Sequence, residues 1–130
     1  MIGIDTNVLV RYLVQDDPEQ AARATRFIVH GCSSDEPCLI NRVVLCELVW
    51  VLEGAYRYGR GKVSEALEGI LRTAQLKVED HQEAWTALRQ YRAGSDFADA
   101  LIAVVNQREG CEHTVTFDRK AARLAGFVAL

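Results

Sequence analysis

Short apolar runs alternate with helix-patterned stretches along the whole chain, and this alternation restricts the fold to an α/β layer structure. Residues 1–5 form an apolar run ending in an acid and read as a first strand. In 6–14, Val8, Leu9, Tyr12 and Leu13 recur at helical spacing. Asp17-Pro18-Glu19-Gln20 marks a second helix start, with an N-cap carboxylate, proline at N1 and Gln at N3. That helix should run to about His30 and stop near Gly31. Residues 37–40 are a strand candidate, and Asn41 can cap a helix over about 42–57. Its 43–52 segment is apolar nearly all round, which predicts burial against a sheet or a partner. Residues 56–62 form a basic, aromatic, glycine-broken turn. A helix over 63–74 and a short edge strand at 76–78 follow. Asp80 occupies a cap position before a helix reaching about Tyr91, and 96–109 reads as a helix ended by Gly110. Residues 113–117 are β-branched and strand-like, 118–124 a short helix, and 127–130 a last strand.

The order predicts three layers, with a central, mostly parallel sheet of four to five strands flanked by helices. At 130 residues, without repeats or a linker, residues 1–130 read as a single domain. Ligands of such sheets collect at the carboxyl ends of the strands. Asp5 follows Ile2-Gly3-Ile4 there, and Asp118 follows Thr114-Val115-Thr116-Phe117.

The N-terminus has no basic, cleavable pattern of a signal peptide, and no apolar run approaches the roughly 18 residues of a membrane span. Cys32, Cys38, Cys46 and Cys111 make no C-x-x-C pair, so reduced structural thiols in a cytoplasmic protein are expected. The net charge of −3 argues against a passive nucleic-acid binder. It does not exclude an enzyme whose acids are gathered at one metal, since setting four acids aside leaves +1.

Glu47 has four apolar residues before it and five after it, and Asp99 sits within an equally apolar run. Such carboxylates are expected to face the interior, where an unpaired charge is costly. A cationic partner, a raised pKa or a bound cation would resolve that cost. For Asp118, capping the next helix is a simpler role. The runs around Glu47 and Asp99 contain no Lys or Arg, and separate buried ion pairs would be expensive. A shared hard cation, Mg²⁺ or Mn²⁺, satisfies several carboxylates together and suits phosphoryl chemistry. His30, His81 and His113 sit at element ends and form no nucleophilic triad pattern.

Four segments now occur in a telling order. They are Ile4-Asp5-Thr6-Asn7-Val8-Leu9-Val10-Arg11, Glu47 in its apolar helix, Asp96-Phe97-Ala98-Asp99-Ala100-Leu101-Ile102-Ala103, and Thr116-Phe117-Asp118-Arg119. Together they resemble the PIN-domain nucleases, specifically the VapC-type toxins of toxin–antitoxin operons, over essentially the whole chain. The resemblance implies a PIN-like fold and an Mg²⁺- or Mn²⁺-dependent endoribonuclease restrained by a small cognate antitoxin. Asp5, Glu47, Asp99 and Asp118 match the acidic quartet, Thr6 and Asn7 the polar pair after the first acid, and Thr116 the hydroxyl residue before the last. Asp96, three residues before Asp99, is either a supporting acid or a helix cap. Asn106 stands where a small apolar residue is common in this family.

On this reading Asp5, Asp99 and Asp118 hold the metal, and Glu47 completes the site or orients the attacking water. Arg11, Arg42, Arg57, Arg60, Lys62 and Arg119 are candidates for gripping RNA, although a solvated turn accounts equally well for 56–62. A groove formed by the first two helices and the 43–52 helix would accept an amphipathic antitoxin helix, and an antitoxin Arg could enter the acidic site. The resemblance also implies a homodimer and a larger hetero-oligomer with the antitoxin. A non-catalytic PIN-like RNA- or protein-binding module is the alternative. A haloacid-type phosphatase would need a second Asp where Asn7 stands, and a response-regulator receiver domain would need its acceptor Asp mid-chain.

Overall fold

Asp5 ends the first extended segment and at once starts the first helix of the computed structural model, in which all 130 residues are described. Its carboxylate accepts from the Thr6 N–H at 2.8 Å, satisfying one of the donors that a helix start leaves unpaired. Helix α1 runs Thr6–Val14 and ends at Gln15, which adopts a left-handed conformation with φ 60°. Asp17 then accepts from the Gln20 N–H at 3.1 Å and opens α2, Pro18–Arg26. A π-helical turn, Phe27–Gly31, continues it. A Cβ on Gly31 would lie 2.9 Å from the Phe27 ring, so glycine allows that ring to lie against the turn.

The chain divides into two units, residues 1–81 and 82–130. In the first, β1 (Cys38–Ile40) pairs in parallel with β2 (Leu76–Val78), Cys38 opposite Leu76. Gly3 bridges Leu39 in parallel on the other side of β1. Between β1 and β2 lie α3 (Arg42–Gly54) and α4 (Arg60–Arg72). Asn41 caps α3 by accepting from the Val44 N–H at 2.9 Å. Helix α1 packs on α2 and α3, while α4 packs on α3 and β2. Their shared interior holds Leu9, Ile28, Ile40, Leu45, Leu48, Leu52 and Leu67, all buried.

Helix α5 (His81–Arg92) begins at the boundary of the second unit, which continues with α6 (Phe97–Arg108), β3 (Thr114–Thr116) and β4 (Phe127–Ala129). Strands β3 and β4 are parallel, with Thr114 opposite Phe127 and a 3₁₀ turn, Ala121–Arg123, between them. Ala84, Leu88, Ala100 and Leu101 are buried, as are Tyr91 and Phe97, whose rings meet edge-on at 6.2 Å.

Every strand pairing is parallel, as the alternation predicts, but each strand is only three residues long. The pairings are two two-stranded sheets plus the single bridge at Gly3, so residues 1–5 contribute one bridge rather than a full strand. Helix α3 stops at Gly54, and α4 already begins at Arg60, within the expected turn. Asp80, just before α5, has φ 53°, and its carboxylate accepts from Arg42 at 3.1 Å. The expectation of reduced thiols is also corrected: Cys32 and Cys38 form a disulfide, with Cα atoms 5.6 Å apart. Their separation of six residues hides the pairing from a C-x-x-C search, whereas the return of the chain into β1 brings both to buried positions. No helix is long and apolar enough to cross a membrane.

Candidate active site

Thr6 joins two acids of the quartet. Its N–H donates to Asp5 Oδ1 at 2.8 Å, and its hydroxyl donates to Glu47 Oε1 at 2.7 Å. Thr6 is buried, so both bonds are sheltered at the root of α1. Asp5 is placed by the end of the extended segment, and Glu47 by the second turn of α3.

Glu47 is itself exposed, contrary to the interior placement its apolar neighbours suggest. Val43, Glu47 and Trp50 share one face of α3 through i+4 and i+3 spacing, and all three are exposed. The core-facing side chains are instead Val44, Leu45, Leu48, Val49 and Leu52. A helix with apolar residues on every side does not reveal which side its neighbours leave open.

In the second unit, Asp96 caps α6 by accepting from the Asp99 N–H at 3.0 Å. Asp99 is half-buried one turn later. Burial pushes its carboxyl above the usual range, and the nearby charges of Asp96 and Asp118 push it further. Asp118 Oδ1 accepts from the N–H groups of Lys120 at 2.8 Å and Ala121 at 3.3 Å. The Asp118 N–H donates to Thr116 Oγ1 at 3.0 Å, so Thr116 fixes the turn that carries this acid. Asn106 donates to Thr114 Oγ1 at 3.0 Å, tying α6 to β3.

Asp5, Thr6 and Glu47 are thus linked in residues 1–81, and Asp96, Asp99 and Asp118 interact in residues 82–130. No three His, Cys, Asp or Glu side chains are gathered tightly enough to hold a metal as placed. The donor chemistry nevertheless suits a hard cation. Asp5, Glu47, Asp96 and Asp118 each have one carboxylate oxygen oriented by a donor of the chain, and Asp99 is held among like charges. Mg²⁺ and Mn²⁺ take oxygen ligands and relieve such repulsion.

Beside Asp5, a cleft of 730 Å³ opens between α1 and α2, lined among others by Asn7, Val8, Arg11, Arg23 and Phe27. The residues that line it come from α1, α2 and their flanks. Arg11 is held from several sides. It donates to Asp16 at 2.9 and 3.1 Å, to Gln20 Oε1 at 2.7 Å and to the Tyr56 hydroxyl at 3.2 Å. Tyr56 in turn donates to Asp16 at 2.8 Å. The Tyr56 hydroxyl, with Arg11 adding to it, holds the Asp16 carboxyl below its usual range, and Asp16 raises the Tyr56 phenol and the Arg11 guanidinium.

The remaining candidate cations are divided in role. Arg42 pairs with Asp80 at 3.1 Å, and Lys62 lies 4.0 Å over the Tyr58 ring. Arg60 begins α4, and Arg57 occupies a left-handed turn position with φ 55°. Arg119 is exposed beside Asp118. Sequence reasoning missed Asp16 and Gln20, which hold Arg11, because nothing local distinguishes them from other residues near a helix start. The bond from Thr6 to Glu47, between residues 41 apart, likewise leaves no local sign in the sequence.

The chain is 28% identical over 123 residues to a VapC ribonuclease of Aquifex aeolicus (strain VF5), covering 93% of this chain and 90% of that relative. No solved structure matches. The model of the PIN domain matches residues 2–127, a span that includes every acid described above, and the chain belongs to the PIN-domain family.

Proposed function

We propose that this protein is a divalent-cation-dependent endoribonuclease, the toxin of a toxin–antitoxin pair, held in check by a cognate antitoxin. The gathering of Asp96, Asp99 and Asp118 carries the reading: three like charges brought together at the start of α6 and the turn after β3 are unfavourable for a fold that does not use them. Membership of the PIN family and similarity to a VapC ribonuclease support the reaction class. Asp5, Asp99 and Asp118 are the residues to hold Mg²⁺ or Mn²⁺. When bound, that cation would supply an acidified water and neutralise charge on the phosphate. Glu47 is the residue to orient the attacking water and accept its proton. The Thr6 hydroxyl fixes one of its oxygens and leaves the other for that task. Thr116 and Asp96 act through backbone N–H groups, by holding the turns that carry Asp118 and Asp99.

The cleft beside Asp5 suits an amphipathic antitoxin segment, with Val8, Ala24 and Phe27 for its apolar side chains and Arg23 for an acidic one. Occupation of that cleft would obstruct access to Asp5. The test is cleavage of a long RNA by purified protein with Mg²⁺ or Mn²⁺ and with EDTA. Internal cleavage lost in EDTA, and reduced on the order of 10²-fold or more in Asp5→Ala and Asp99→Ala with helicity kept, is expected. Equal cleavage by either variant would overturn the assignment. RNA binding without cleavage would instead favour a non-catalytic module.

A further inference from the structure

Each unit of the chain exposes one large aromatic ring directly beside an acid of the quartet. Trp50 is 58% exposed, one turn after Glu47 on the same face of α3. Phe117 is 85% exposed and immediately precedes Asp118. The chain around Phe117 is pinned by the bond from the Asp118 N–H to Thr116 Oγ1 and by the Lys120 N–H donating to Asp118 Oδ1. The ring is therefore held out to solvent by an ordered turn. Placing it there forgoes the stabilisation that burial of a phenyl ring would bring.

We propose that Trp50 and Phe117 are base-stacking platforms for single-stranded RNA, each seating a base beside the acid of its own unit, Glu47 or Asp118. The inference rests on the ribonuclease reading and names the form of RNA the site accepts. The acids repel the phosphate backbone and the chain as a whole carries −3, so charge alone grips RNA poorly here. Stacking does not depend on net charge, tolerates any base, and requires bases that are unpaired and splayed. Arg119 and Lys120, both exposed next to Phe117, can meet the neighbouring phosphates. A protein interface is the weaker fit. Interface cores are depleted of Asp, Glu and Lys, whereas Phe117 is followed closely by Asp118 and Lys120, and Trp50 shares its face with Glu47 as well as Val43.

The test uses the full chain in EDTA, so that binding is read without hydrolysis, and an unstructured 12-nucleotide RNA alongside its duplex. In a Trp85→Phe background, addition of the single strand should quench Trp50 fluorescence. Trp50→Leu and Phe117→Leu should each weaken single-strand binding roughly 5- to 150-fold, the range that stacking of one base spans, while Trp50→Phe and Phe117→Tyr retain it. With the metal restored, KM should rise in the Leu variants with little change in kcat. Two phosphate contacts give a shallow salt dependence, a slope of about −1.4 in log–log form. The inference is overturned if both Leu variants bind the single strand as the wild type does, or if duplex binds equally well. It is also overturned if the Leu variants lose a dimer in light scattering while RNA affinity is kept, since the rings then serve self-association. If wild type fails to cleave RNA with any divalent cation while the stacking results appear as expected, the nuclease reading falls and the platforms stand. Cleavage without any stacking effect removes the platforms alone.

Discussion

The Thr6 hydroxyl donates to Glu47 Oε1 at 2.7 Å across 41 residues of sequence, while the N–H of the same residue holds Asp5. One buried threonine thereby sets the position of two acids carried by different elements. Groups that orient the residues around a metal commonly change activity without touching substrate.

Thr6→Val preserves shape and removes the donor. It should lower kcat about 10- to 100-fold with the fold intact by circular dichroism, and Thr6→Ser should restore most of the loss. A Val variant as active as wild type would show that Glu47 needs no such support.

Asp99 has a raised carboxyl in the folded chain, so folding favours its protonated form. Its contribution to stability is fully present below the ordinary value of 3.8 and is lost as pH rises through the raised native value. Without divalent cations, thermal melts of Asp99→Asn should be less sensitive to pH in this range, with a higher Tm at pH 7 than wild type. Added Mg²⁺ or Mn²⁺ at a hundredfold excess over Kd should add about 2.7 kcal/mol to wild-type stability and raise its Tm, with a much smaller rise for the Asn variant. Equal responses of the two proteins to the cation would remove Asp99 from the site.

Asp16 and Tyr56 bracket pH from both sides. The lowered Asp16 carboxyl contributes stability above the ordinary value of 3.8 that is lost as pH falls through its lower native value. The raised Tyr56 phenol contributes stability below 10.0 that is lost as pH rises through its higher native value. Tyr56→Phe should weaken both dependences, seen as Tm profiles that lie closer to flat at the acidic and alkaline ends. Profiles identical to wild type would mean that the network adds nothing to folding in solution.

The bond between Cys32 and Cys38 closes a short loop, six residues apart in sequence. Loop-closure entropy gives it about 2 kcal/mol of stabilisation. Urea unfolding with and without a reductant should show that difference, and Cys32→Ala/Cys38→Ala should match the reduced protein. Alkylation of all four cysteines in the native, unreduced protein would show the bond to be absent.

Local sequence signals account for the alternation of elements and the parallel sense of the strands, and they mark out the four acids as candidates. These are local or periodic signals. Asp17, Asn41 and Asp96 cap helices because their carbonyl or carboxylate oxygens reach N–H groups two or three residues on, and any chain with that spacing can do the same. Which helix faces are covered follows from the packing of remote elements. Glu47 lies on the open side of α3, and the surrounding valines and leucines could not reveal that, since burial depends on remote neighbours. The hold of Asp16, Gln20 and Tyr56 on Arg11, the pairing of Cys32 with Cys38, and the bond from Thr6 to Glu47 were decided the same way. Hydrogen bonds and disulfides form between atoms a few ångströms apart, and for residues distant in sequence that proximity exists only once the chain has folded.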